Sequence, residues 1–167
     1  MSIHLFEHNQ KAYEAVTEML EKDGMAAVIH PTGTGKSMIA FKLVEEHPLN
    51  HFLWLSPSEY IYQTQVENLN MKFPNIQFMS YSRLMKNEDC IETLHPDYII
   101  LDEFHRCGAR EWGKSIKKLL DTYPDARRLG LSATNIRYLD NQRNMAGEIF
   151  NGKIASEMTL GEAIVRE

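Results

Sequence analysis

The sequence predicts a three-layer α/β domain, in which a mainly parallel central sheet is covered by helices on both faces. Short apolar runs alternate with amphipathic helical patterns over most of the chain, and this alternation is typical of right-handed βαβ crossovers. Two of the apolar runs end in residues suited to phosphate and metal chemistry. The 167 residues, of which 43% are hydrophobic and 25% charged, suffice for one globular domain with a core.

The individual elements follow from apolar periodicity and from the positions of glycine and proline. Strands are predicted at 26–30, 52–55, 76–80, 98–101 and 129–131. Helices are predicted at 9–22, 36–46, 58–68 and 111–121. Gly24 is placed to end the first helix, and Pro48 and Pro124 stop two of the others. Thr159 and Glu162 have the spacing of a capping box, which predicts a further helix near the end of the sequence.

The segment Thr-Gly-Thr-Gly-Lys-Ser at 32–37 lies between a predicted strand and a predicted helix, which is the context of a P-loop. Glycine lets backbone amides approach phosphate oxygens, and the start of the helix adds aligned N–H dipoles. Lys36 can reach the β- and γ-phosphates of a nucleotide, and the hydroxyl of Ser37 can bind Mg²⁺. The strict P-loop pattern has glycine where this chain has His30, and the alternative interpretation is a flexible turn before a helix. The predicted nucleotide-binding residues of this segment are Pro31, Thr32, Gly33, Thr34, Gly35, Lys36 and Ser37.

A second segment begins where four large apolar residues at 98–101 lead into Asp102 and Glu103. Such a run predicts a buried parallel strand that delivers the two acids to the edge of the sheet where ligands bind. Asp102 can hold Mg²⁺ through water, and Glu103, which points the other way, can polarise an attacking water. The alternative is a charged strand end that faces solvent. Together the two segments predict a site that hydrolyses a nucleotide, and the sequence has no N-K-x-D guanine-binding motif of a GTPase.

These segments resemble the motifs of superfamily 2 helicases and translocases. Residues 30–37 resemble motif I, the tetrad DEFH at 102–105 resembles the DExH motif II, and SAT at 132–134 resembles motif III. Between motifs I and II, residues 53–58 together with Gln63 resemble motif Ia, and residues 80–84 resemble a later segment that contacts nucleic acid. The order and spacing of the motifs also agree with the family.

The resemblance implies the first RecA-like lobe of a P-loop NTPase, similar to the helicase-like subunits of restriction systems, with ATP and Mg²⁺ as cofactors. The catalytic residues that it implies are Lys36, Asp102 and Glu103, with Mg²⁺ held by Ser37 and Asp102. It assigns recognition of the adenine to Gln10. The residues that would couple the nucleotide state to lobe movement are His105, Ser132 and Thr134. The implied nucleic-acid contacts are Pro57, Ser58, Tyr81 and Arg83.

Members of this superfamily hydrolyse ATP between two RecA-like lobes, and the second lobe supplies an arginine finger. No segment after residue 134 resembles the motifs of that second lobe. We therefore expect 1–167 to be a single lobe, with an N-terminal helix at 1–24, motifs I to III within 25–134, and an extension at 135–167 towards a missing second lobe. Because an arginine finger contributes on the order of 10³ to 10⁵ in rate, the lobe alone is expected to bind ATP weakly and to hydrolyse it slowly.

DNA is the expected partner, by analogy with restriction systems. Two alternatives stay open, an RNA-directed DExH ATPase and a non-motor ATP-binding module that stabilises a nucleic-acid complex. A net charge of −5 argues against a generally basic surface, and no residue pattern identifies a nuclease or methyltransferase partner. The sequence shows no leader and no apolar run long enough for a membrane span, so a cytoplasmic protein without membrane attachment is expected.

Overall fold

The computed structural model describes residues 3–31, 34–104, 110–133, 136–137, 143–144 and 149–158. Within these ranges the strands are β1 (Met25–Ile29), β2 (Phe52–Ser56), β3 (Ile76–Ser80), β4 (Tyr98–Asp102), β5 (Arg127–Ser132), β6 (Ile136–Arg137), β7 (Arg143–Asn144) and β8 (Ile154–Glu157). The helices are α1 (Glu7–Asp23), α2 (Lys36–Glu46), α3 (Glu59–Leu69), α4 (Tyr81–Lys86), α5 (Ile91–Leu94) and α6 (Arg110–Thr122), with a 3₁₀ turn at Glu88–Cys90.

Six of the strands form one sheet in the order β3-β2-β4-β5-β1-β8, and every neighbouring pair in it is parallel. Strands β6 and β7 pair antiparallel as a separate short ribbon. Strand β5 lies between β1 and β4, so the strand before the P-loop and the strand that ends at Asp102 are not direct neighbours. Because the strands are parallel, their carboxyl ends all meet at one edge of the sheet.

The core consists of two apolar clusters, one on each face of the sheet. Along β4, Ile99 and Leu101 belong to one cluster, and Tyr98 and Ile100 belong to the other, as the alternation of a strand requires. Residues of α4, α5 and α6 complete the first cluster, and residues of α1, α2 and α3 complete the second. The predicted three-layer architecture is therefore confirmed, and all five residues of β4 are buried.

The predicted elements agree with the structure to within two residues at either end, and the chain adds elements that were not predicted. Helix α4 follows β3 without a loop, because the side chain of Ser80 accepts a hydrogen bond from Arg83 N and so caps the helix. Strand β8 has only four residues and pairs with β1 at the end of the sheet, which leaves little periodicity to detect. The helix predicted near residue 159 lies outside the described residues.

Candidate nucleotide site

The loop after β1 turns into α2 at Gly35, which has a φ of +76°. A side chain would be strained in this left-handed conformation, and a Cβ built on Gly35 would lie only 3.1 Å from Asn9 Nδ2. The hydroxyl of Thr34 donates to the carbonyl oxygen of Pro31 at 2.7 Å and closes the loop. Thr32 and Gly33 lie outside the described residues, so their predicted phosphate contacts stay predictions.

The structure brings the first residue of α2 against the residue that follows β4. Lys36 Nζ lies 4.0 Å from Glu103 Oε1, and their side chains are 12% and 33% exposed. The charge of Lys36 also acts on Asp102, where it lowers the pKa of the carboxyl group. The three predicted catalytic side chains therefore share one site at the carboxyl edge of the sheet.

Asp102 is the last residue of β4 and is only 8% exposed. Burial raises the pKa of Asp102 to about 6, the neighbouring charge of Glu103 raises it too, and Lys36 lowers it. The indole of Trp54 also favours the ionised form, although its buried Nε1 makes no hydrogen bond of normal geometry to the described residues. A buried carboxylate whose desolvation outweighs the attraction of its neighbours is suited to a divalent cation.

Glu103 has a φ of +54°, which is uncommon for a residue with a side chain. Such a conformation costs of order 1–3 kcal/mol and persists where the surrounding structure holds it. The turn takes Glu103 out of the strand alternation and accompanies the approach of its carboxylate to Lys36. Glu103, which the sequence predicts to activate the attacking water, is thus also the strained residue.

Ser132 ends β5 and lies between the two halves of the site. Its carbonyl oxygen accepts a hydrogen bond from His30 N at 3.0 Å, and both residues are fully buried. This position at the junction of β1 and β5 is consistent with a residue that senses the nucleotide loop. His105 and Thr134, the other two predicted coupling residues, lie outside the described residues, and the coupling role of all three stays a prediction.

His30 stands where the strict P-loop pattern has glycine. Its Nε2 lies 2.7 Å from Ser156 Oγ on β8, so the imidazole is anchored in the sheet. The histidine in place of glycine is therefore held by β8, a strand that was not predicted from the sequence.

The N-terminal residue that contacts the P-loop is Asn9 rather than Gln10. Asn9 is fully buried, and its Nδ2 donates to the carbonyl oxygens of Thr34 at 2.8 Å and Gly35 at 3.2 Å. His8 Nε2 lies 3.0 Å from the same oxygen of Thr34. Gln10 is exposed and donates to Glu14 Oε1 at 3.3 Å, so its side chain does not reach the loop. Recognition of the adenine by Gln10 stays a prediction. Asn9 differs from Gln10 in its burial on the inner face of α1.

We expect Asn9→Ala to destabilise the chain by about 1–3 kcal/mol, because two half-buried loop carbonyls lose the donor that the buried Asn9 provides. Nucleotide affinity should fall as well, since the P-loop loses its tether to α1. Gln10→Ala is the neighbouring control and should change stability by no more than about 0.5 kcal/mol. Urea unfolding of both variants measures the difference. Equal stabilities would contradict the tethering role of Asn9.

Tyr81 was predicted to contact nucleic acid, and the structure corrects this prediction. The side chain is 1% exposed, and its hydroxyl donates to the carbonyl oxygen of Asp102 at 2.7 Å. As the first residue of α4, directly after β3, it points beneath the sheet edge into the cluster that contains Leu84. Tyr81 therefore supports the backbone at the acidic end of β4 and is not available to an external strand.

Replacing Tyr81 with phenylalanine should destabilise the chain by about 0.5–1.5 kcal/mol, because the ring remains and only the hydrogen bond to Asp102 is lost. Arg83→Ala, on the exposed side of the same helix, should leave stability within about 0.5 kcal/mol of the parent. Thermal unfolding followed by circular dichroism compares the two variants. A Tyr81→Phe variant as stable as the parent would show that the hydrogen bond is energetically neutral.

The other predicted nucleic-acid residues lie at the carboxyl ends of β2 and β3. Ser58 caps α3 by accepting from Ile61 N, Pro57 is half-buried beside it, and Arg83 is exposed. In the strand order these two ends lie on the opposite side of β4 from the P-loop strand. The nucleic-acid role of Pro57, Ser58 and Arg83 stays a prediction, and the structure places these residues away from the P-loop strand.

The residues that the structure describes contain neither a membrane-spanning helix nor a clustered metal-binding site. No helix there is long and apolar enough to cross a membrane. The same residues contain no group of three or more His, Cys, Asp or Glu arranged to hold a metal ion.

The family model of the type III restriction enzyme res subunit matches residues 2–75 and 63–137 of the chain. No curated protein matches the chain. Among solved structures, the ATP-dependent Type ISP restriction-modification enzyme LlaBIII bound to DNA gives a TM-score of 0.69 at 18% identity, over 99% of this chain and 16% of that one.

Two further structures are similar over nearly the whole chain. The SWI2/SNF2 ATPase core of Sulfolobus solfataricus in complex with dsDNA gives a TM-score of 0.66 at 12% identity, over 99% of this chain and 47% of that one. A DNA replication initiation factor gives a TM-score of 0.60 at 18% identity, over 93% of this chain and 47% of that one. The chain thus spans less than half the length of each of these structures. At such identities the similarity shows the fold, which is that of a RecA-like P-loop ATPase domain.

Proposed function

Since the chain belongs to the family of the type III restriction enzyme res subunit, we propose that it is the ATP-binding lobe of a DNA helicase or translocase. In this proposal it hydrolyses ATP with Mg²⁺ to drive movement along DNA. The observation that carries the proposal is the meeting of Lys36 with Glu103 at 4.0 Å, beside the buried Asp102, at one edge of a parallel sheet.

Each residue of the site has a defined chemical task in this function. The amides of the loop and Lys36 bind the phosphates, and Lys36 exchanges its contact with Glu103 for the terminal phosphate. Ser37 and Asp102 offer the oxygen ligands that Mg²⁺ prefers, and their donor set therefore fits that ion. When bound, Mg²⁺ neutralises charge that develops on the phosphates. Glu103 orients the attacking water and accepts its proton.

A strained acidic residue favours an enzyme over a silent nucleotide-binding module. A module that only retains ATP needs the P-loop and the metal ligand, but it has no use for a base that activates water. Glu103 is held at a φ of +54° with its carboxylate 4.0 Å from Lys36, which supports its proposed place beside the phosphates. The module remains the second candidate, and it is distinguished by its lack of hydrolysis.

DNA is the proposed track because two of the similar structures are complexes with DNA. The half of the sheet edge at the ends of β2 and β3 is free of the predicted phosphate-binding residues and includes the exposed Arg83. Comparing stimulation of hydrolysis by double-stranded DNA, single-stranded DNA and RNA tests this choice. Stimulation by RNA alone would replace DNA with the RNA-directed alternative.

We also propose that a second RecA-like lobe completes the site. The chain corresponds to 47% of the SWI2/SNF2 ATPase core. The transition state of phosphoryl transfer commonly needs an arginine finger. Mixing the chain with a separately purified second lobe should raise its rate of hydrolysis if this proposal is right, and an unchanged rate would contradict it.

Replacing Lys36 with alanine tests the nucleotide site directly. The variant should bind a fluorescent ATP analogue roughly 10- to 100-fold more weakly, because hydrogen bonds to charged groups contribute about 1.5–3 kcal/mol. Lys72→Ala, which removes an exposed lysine after α3, is the matched control and should bind like the parent. Equal affinities of the two variants would exclude the proposed phosphate site.

A further inference from the structure

A glutamine on α3 contacts the P-loop hydroxyl that the proposed function assigns to the metal. Gln65 Nε2 donates to Ser37 Oγ at 3.1 Å, across 28 residues of sequence. The contact joins the first turn of α2 to the middle of α3. No motif in the sequence analysis singled out Gln65.

The carboxamide oxygen of the same side chain has no role in this contact. Gln65 Oε1 is buried and has no hydrogen-bond partner among the described residues. Buried carboxamide oxygens are nearly always hydrogen-bonded, so Oε1 is available to a donor that the described residues do not supply, such as a water. A carboxamide oxygen accepts only from O–H or N–H groups.

The packing of α3 keeps this side chain in place. Tyr62, one turn earlier on α3, packs at a tilt against Phe41 of α2, with ring centroids 6.1 Å apart, and edge-on against Trp54 of β2, at 5.3 Å. Trp54 in turn acts on Asp102, the other predicted metal ligand. These ring contacts of Tyr62 hold α3 against α2 and β2, and with it the contact of Gln65 with Ser37.

We propose that Gln65 is a positioning residue of the metal site. Its amide N–H holds the hydroxyl oxygen of Ser37, and its Oε1 accepts a hydrogen bond from a water bound to Mg²⁺. Mg²⁺ keeps several waters when it binds to proteins, and groups that hydrogen-bond the metal ligands tune its affinity. This inference rests on the proposed nucleotide site and adds to it a residue that touches neither nucleotide nor metal.

The test compares Gln65→Leu with Asn68→Leu, which replaces an exposed amide on the same helix and serves as the control. Binding of a fluorescent ATP analogue is titrated with Mg²⁺ and, separately, in EDTA. For Gln65→Leu we expect the Mg²⁺ concentration at half-saturation to rise about 10- to 100-fold, with affinity in EDTA within about twofold of the parent. Asn68→Leu should match the parent in both conditions.

Several outcomes separate this inference from its alternatives. Unchanged Mg²⁺ dependence in Gln65→Leu, with normal Mg²⁺ dependence in the parent, overturns the role of Gln65 and leaves the nucleotide site intact. A parent chain whose nucleotide affinity does not depend on Mg²⁺ refutes the proposed function itself. Equal weakening with and without Mg²⁺ would indicate a structural role and also overturns the inference. Should Gln65→Leu fail to fold, Gln65→Met keeps the length of the side chain and carries the same expectations.

Discussion

The Glu103→Gln variant is expected to hydrolyse ATP about 10²- to 10⁴-fold more slowly than the parent, which is the usual contribution of a general base. Glutamine keeps the size of the side chain and its hydrogen-bonding oxygen, but it cannot accept the proton of the attacking water. ATP binding should remain within about threefold of the parent, because the phosphates are bound by Lys36 and the loop. Phosphate release under single-turnover conditions, with and without DNA, measures the rate.

The control for this prediction is Glu67→Gln, the same chemical change at an exposed position of α3. It should hydrolyse ATP at the parent rate. Equal rates for Glu103→Gln and the parent, with or without DNA, would eliminate the enzyme and favour the non-motor module. A Glu103→Gln variant that loses binding together with hydrolysis would instead assign Glu103 a structural role in the loop.

The placement of the motifs could be predicted from the sequence because it depends on strong, local signals. Strand β4 is buried on both faces and therefore reads as a continuous apolar run, which leads directly to Asp102. Helix α2 begins at Lys36, as the glycine-containing turn before it predicts. Since parallel strands end at one edge, these two local predictions also place Lys36 and Asp102 in one pocket, and the structure brings Lys36 to 4.0 Å from the next residue, Glu103.

The residues that support the site could not be predicted, because their roles depend on contacts between distant segments. Asn9 and Gln10 are adjacent amides, and only the rotation of α1 decides that Asn9 faces the loop. Tyr81 follows a strand end, as a nucleic-acid contact would, but the capped start of α4 turns it inward. His30 depends on β8, whose pairing with β1 spans more than 120 residues of sequence.

Asp102→Asn should stabilise the chain in the absence of Mg²⁺ and nucleotide. Burial raises the pKa of Asp102 from 3.8 to about 6, so the ionised carboxylate is less favourable in the folded chain than in the unfolded chain. A difference of this size corresponds to roughly 1–3 kcal/mol at pH 7. Asparagine has nearly the same shape and no charge, and it should therefore recover most of this free energy, or about 2–4 °C in melting temperature per kcal/mol.

The pH dependence of this effect has a definite sign. The folded chain holds the Asp102 proton more tightly than the unfolded chain, so the stability associated with this residue is complete below about pH 4 and is lost as the pH rises through about 6. The advantage of Asp102→Asn over the parent should therefore be present at pH 7 and absent near pH 4. Asp125→Asn, at an exposed position before β5, should show no comparable advantage at either pH.

The same substitution should remove the tightening of ATP binding by Mg²⁺, because the carboxylate that raises the energy of the metal-free fold is also the proposed ligand of the ion. Gain of stability and loss of metal binding would then arise from one charge, as expected where a site is built at the expense of stability. Thermal unfolding at two pH values and a Mg²⁺ titration of nucleotide binding measure both effects on one protein preparation. A variant less stable than the parent at pH 7, yet unimpaired in Mg²⁺ dependence, would mean that Asp102 serves the fold and not the metal.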